Sequence, residues 1–214
     1  MPEPNNHLTL RPLRTPRAAA IAGIIFSVLL SMILVLMRVS VETGRGLNTG
    51  ASDAISLAVG LVPFAGIAFL WFMGVVRDRL GHLEDQFFST IYFGSGLLFL
   101  AMLFIWAAIA GTILTGFDLD TGVLADDRSG YAFGRMLMDE ITSVYALRMA
   151  GVFMISTGVI WTSTGVMPRW LAIITLGVAL GLLVGMGFIF FFWWLPLSFP
   201  AWVLLVSIYI LRTS

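Results

Sequence analysis

VVRDRLGHLEDQFFSTIYFGSG, residues 75–96, is a charged hinge set between two long apolar runs. Arg77 and Arg79 close the run before it, and Gly81 stands where a helix C-cap glycine would stand. Glu84 and Asp85 open the run after it. Cations at a helix C-terminus and anions at a helix N-terminus both complement the backbone dipole. The stretch therefore reads as a tight turn between two antiparallel membrane helices, and it sets the frame for every other span.

The composition agrees. Of 214 residues, 59% are hydrophobic and 11% charged, and mean hydropathy is +0.97. A soluble domain carries about a quarter charged residues, so this chain has more apolar surface than a soluble core can hide. The bilayer must be the solvent for most of it, and helices satisfy their own backbone there. The expected fold is all-α: a polytopic membrane protein with six transmembrane helices in one bundle. Formal net charge is zero, which gives no bulk attraction to nucleic acid. The absence of cysteine excludes disulfides, thiolate catalysis and Cys-ligated metals. All 12 cationic residues are Arg, a composition in keeping with a GC-rich bacterial genome.

Residues 1–15 are polar and proline-rich and read as a disordered cytoplasmic tail. Residues 16–214 form the membrane domain, with spans expected at about 18–38, 54–76, 87–116, 141–164, 170–192 and 196–212. Ala19, Gly23, Ser27 and Ser31 recur every fourth residue and put small side chains on one face of the first span. Pro63 lies inside the second. The polar segment 118–140 contains a stretch, Tyr131 to Asp139, with the pattern of an interfacial helix. Gly151 and Gly158 repeat at seven residues in the fourth span. In the fifth, Gly177, Gly181 and Gly185 make two overlapping GxxxG motifs, the strongest packing signal in the chain. Trp170 to Leu211 is 42 residues without a charge, about 63 Å of helix and hence two crossings. The break is expected near Trp193 to Pro196.

Chemistry-bearing motifs are sparse. The two histidines are His7, in the tail, and His82, in the hinge, so a bis-His haem or a zinc site inside the membrane has no ligands. Gly94-Ser95-Gly96 lacks the outer glycines of a nucleophile elbow. Asp118 and Asp120 begin like a calcium loop, but Val123 and Ser129 stand where Gly and Glu are needed. The notable charge is Arg148, about 12 Å along the helix beyond Glu140. Either it snorkels to the interface, or it points into the bundle and pairs with a carboxylate. The partners on its side are Glu140, Asp139, Glu42 and Asp53, which with Arg148 make a candidate outer-interface polar cluster.

RDRLGHLEDQFF followed by FGSGLLFLAMLF, within Arg77 to Phe104, resembles uncharacterised bacterial integral membrane proteins of actinobacterial type. The resemblance implies a multi-pass inner-membrane protein and no particular activity. Three functions fit the residues: a non-catalytic subunit or interaction protein, a transporter of small solutes or lipids, and an interfacial enzyme acting on lipid or quinone. The first needs only packing faces and charged turns. No cofactor is expected. The expected partners are the lipid bilayer and either another membrane protein or a second copy, with no nucleic acid.

Six spans put both termini on one side. Arg11, Arg14, Arg17, Arg77, Arg79, Arg169 and Arg212 share that side, against Arg38, Arg45, Arg128, Arg135 and Arg148 on the other. The bias makes the termini cytoplasmic. Reporter fusions after Ser214 and within residues 118–130 are therefore expected to report opposite sides, the first cytoplasmic; the same side for both would break the count of six.

Overall fold

A computed structural model describes residues 16–42, 49–80, 86–116, 128–165, 168–184 and 194–213. The chain is an all-α polytopic bundle, with no strand among the described residues. Its elements are α1 (Pro16–Glu42), α2 (Thr49–Leu80), α3 (Gln86–Gly116), α4 (Arg128–Glu140), a π-helical segment (Ile141–Ala146), α5 (Leu147–Thr164), α6 (Arg169–Val184) and α7 (Leu195–Arg212). Five stretches are long and apolar enough to cross a bilayer, the run from α4 through α5 counting as one. The sixth, α6, has 16 described residues. The expected tail, the hinge residues Gly81 to Asp85, and Gly185 to Trp193 lie outside the described residues. The hinge is bracketed as its charges suggest: α2 carries Arg77 and Arg79 in its last turn, and α3 begins at Gln86.

The helices close into a ring. α1 packs on α2 and α7, α2 on α3, α3 on α5, α5 on α6, and α6 lightly on α7. Five of the six helices send an aromatic ring into the centre. Phe69 of α2 is the hub: its ring lies 4.6 Å from Phe26 of α1, 5.5 Å from Phe99 of α3, 5.3 Å from Phe153 of α5 and 5.9 Å from Phe199 of α7. Most of these pairs are tilted or edge-to-face, the arrangement the ring quadrupoles favour. Trp202 of α7 stacks between Phe199 and Trp161. The sixth helix joins by a hydrogen bond, since Trp202 Nε1 donates to Thr175 Oγ1 of α6 at 2.8 Å.

Helices approach closely where side chains are missing. A methyl group on Gly23 would collide with Ser207 Oγ of α7 and would come within 2.7 Å of the Phe72 ring of α2. That is the seam expected on α1, and it serves two neighbours at once. A methyl on Gly151 would lie 3.1 Å from the Ala179 carbonyl oxygen and 3.4 Å from Leu182 Cβ. Gly158 packs on Thr175 and Leu176. The seven-residue glycine seam of α5 is thus the surface on which α6 sits. Gly165 has another job: at φ 66° it ends α5 in the left-handed conformation, its N–H donating to Trp161 O. Pro168 then offers its carbonyl to Leu171 and Ala172 at the start of α6. The overlapping motif on α6 does not behave as expected. No described atom would meet a methyl on Gly177 or Gly181 within 4 Å. The face of α6 that packs on α5 carries Leu171, Thr175, Ala179 and Leu182, and the glycines lie off it. Gly185 is outside the described residues.

Removing the hub ring while keeping an equally apolar surface ring as control separates packing from hydrophobicity. Phe69→Ala is expected to lower stability by about 3–5 kcal/mol, whereas Phe64→Ala, at a side chain 63% exposed, is expected to change it by less than about 0.5 kcal/mol. Unfolding in mixed detergent micelles measures both, and equal effects would contradict the hub.

Candidate functional site

Four of the five side chains of the expected polar cluster are described. Arg148, in the first turn of α5, is exposed on the outside of the bundle, as are Asp139, Glu140 and Asp53. Among these four described side chains no ion pair forms. Glu42 ends α1, and its side chain lies outside the described residues. The six residues after Glu140, Ile141–Ala146, are π-helical, which widens the turn and changes the rotation per residue. Arg148 thus lies on the outside of the bundle rather than in its interior.

The hinge cation Arg77 has a defined place. Its guanidinium carbon lies 4.8 Å from the centre of the Phe93 ring on α3, a cation–π contact that ties the end of α2 to α3. The Arg79 side chain lies outside the described residues, as do Gly81, Glu84 and Asp85.

Inside the bundle the polar inventory is uniform. The buried polar residues among those described are Ser27, Ser95, Ser156, Thr157, Thr175 and Ser207. Each hydroxyl donates to a backbone carbonyl one turn earlier in its own helix: Gly23, Ile91, Val152, Phe153, Leu171 and Val203 respectively. Tyr92 OH crosses from α3 to the Met73 carbonyl of α2 at 3.2 Å. These groups spend their protons on the backbone, and that leaves packing as their main contribution.

The described helices also border a small apolar cleft with an open mouth. Leu30, Ile33 and Leu34 line it from α1, and Phe99, Met102, Leu103 and Trp106 from α3. Thr142 and Ala146 of the π segment, Leu147 of α5, and Pro196 and Phe199 of α7 complete it. The Leu147 N–H reaches back five residues to the Thr142 carbonyl, and Thr142 and the small Ala146 of the π segment face the cleft. The Thr142 hydroxyl donates to the Met138 carbonyl at 2.9 Å. Sequence reading missed this cleft. No residue pattern marks a π turn, and all the lining residues but Thr142 are ordinary for a span.

Comparison of the chain with protein-family models, with curated proteins and with solved structures finds no match. No family is therefore shown for it, and the functional reading rests on the residues themselves.

Arg148→Lys and Arg148→Gln are both expected to fold and express as the parent does, within about 0.5 kcal/mol, because the side chain lies outside the bundle. Thermal unfolding in detergent reads this out; a destabilised Gln variant rescued by Lys would return Arg148 to a buried, paired role.

Proposed function

We propose that this protein is a non-catalytic subunit or interaction protein of a bacterial inner membrane, with both termini cytoplasmic. The observation that carries the reading is the pairing of a self-satisfied core with an open helix face. The six buried hydroxyls bond within their own helices, so the interior is built for packing. A methyl group on Gly177 or Gly181 of α6 would meet no described neighbour within 4 Å. Small residues on an open face of a membrane helix let another helix approach backbone to backbone, where dispersion contacts are strongest. The hinge resemblance to multi-pass inner-membrane proteins of bacteria accords with the same placement.

The test is mass measurement after purification in mild detergent, with Gly181→Leu alongside. The parent is expected to elute as an assembly heavier than the 23.4 kDa chain, with itself or another membrane protein. Gly181→Leu is expected to release the free chain while shifting its own melting temperature by no more than about 4 °C, the scale of a change near 1 kcal/mol or below. A parent that is monomeric without any protein partner would overturn the proposal.

A further inference from the structure

We propose that Arg17 of α1 and Arg212 of α7 together hold the phosphate of one anionic phospholipid, in the leaflet on the side of the chain termini. The register of the two helices brings the arginines together. A methyl on Gly23 would collide with Ser207 Oγ, so α1 and α7 touch there. Further along, Leu30 and Ile33 of α1 share a cleft with Phe199 and Pro196 of α7, so the two helices run antiparallel. Arg17 precedes Gly23 by six residues and Arg212 follows Ser207 by five. Both therefore stand about 7–9 Å beyond the contact, in the same direction. Ala20 and Ile210, each within a turn of them, are buried, so the helices are still packed at that level. Both arginine side chains are exposed. Packed helix axes stand about 8–10 Å apart, and two long side chains can converge on one phosphate across that span.

The charge on this rim is one-sided. Its described charged side chains are Arg17, Arg77, Arg169 and Arg212, whereas on the opposite rim Asp53, Asp139 and Glu140 accompany Arg38, Arg135 and Arg148. The side chains of the hinge acids Asp78, Glu84 and Asp85 lie outside the described residues. Arg77 already lies over the Phe93 ring. Neither Arg17 nor Arg212 has an ion-pair partner among the described residues. Two guanidiniums on neighbouring helices repel each other unless an anion sits between them, and the start of α1 adds the positive end of its backbone dipole. Depth names the anion. Arg17 directly precedes the apolar run that starts at Ala18, and Arg212 directly follows the run that ends at Leu211. Both thus stand at the edge of the hydrocarbon, where lipid phosphates lie. A guanidinium presents paired N–H donors that match phosphate oxygens. Phosphatidylethanolamine carries an ammonium that the same two cations repel, and phosphatidylglycerol does not, so the pair selects an anionic lipid.

The experiment takes the full chain, stripped of lipid in detergent, and titrates it with phosphatidylglycerol or phosphatidylethanolamine while native mass spectrometry counts the bound lipid. The parent is expected to bind its first phosphatidylglycerol at least about fivefold more tightly than its first phosphatidylethanolamine. Arg17→Gln and Arg212→Gln are each expected to weaken that first site about fivefold, and the double variant by about the same factor, because one phosphate needs both arginines. Arg148→Gln, on the opposite rim, is expected to leave it unchanged. Losses that multiply to about 25-fold in the double variant describe two separate surface charges and overturn the shared site. An equal loss in Arg148→Gln overturns it as well. Equal affinity of the parent for the two lipids does so without any variant. Displacement of bound phosphatidylglycerol by millimolar inorganic phosphate would make the occupant a soluble anion and overturn the lipid assignment, and retention supports it.

Discussion

Helices already inside a bilayer gain nothing by hiding apolar surface from water, so contact quality has to hold them together. In this bundle the best contacts converge on Phe69, whose ring meets rings from α1, α3, α5 and α7. The ring of six helices is closed around that point. Helix α6 contributes no ring to the cluster, and it is joined through the bond from Trp202 to Thr175. That bond gives the indole N–H a partner it would otherwise lack in a dry interior, where an unpaired donor is costly.

The small residues follow from the same constraint. Gly23, Gly66, Gly96 and Gly151 each sit where a neighbour already occupies the place of a Cβ: Ser207 and Phe72, Phe104, Met73 with Phe153, and the Ala179 backbone. The serines and threonines act alongside them. Bonded back to their own helices, they are small and nearly apolar in effect, and Thr175 in addition accepts from Trp202. Gly177 and Gly181 have the same spacing and no such neighbour among the described residues. Identical motifs thus do different things, according to which side of the helix the aromatic centre lies on.

The π segment connects α4, whose Phe133 and Met136 are exposed, to α5, and it shifts the helical phase between them. Within α5 the buried residues Leu147, Ala150, Gly151 and Met154 turn inward, which leaves Arg148 on the outer face.

The sequence by itself determined the helical class and where the long apolar runs lie. Charge placement did this: Arg77 and Arg79 before the hinge, Arg169 after Pro168, Arg212 at the last turn, and the 42-residue run whose length demands a break near Pro196. It also marked the Gly23 and Gly151 seams, because close approach needs a missing side chain. Tertiary structure alone decided which face of each helix turns inward. A soluble helix announces its buried face by polar residues on the other, but a span is apolar all round. Phe69 and Phe64 are therefore equivalent in sequence, and one is the hub while the other meets lipid. The same ambiguity hid the open side of Gly181. The π turn was invisible for another reason: a change of hydrogen-bond register from four residues to five leaves no mark in residue type.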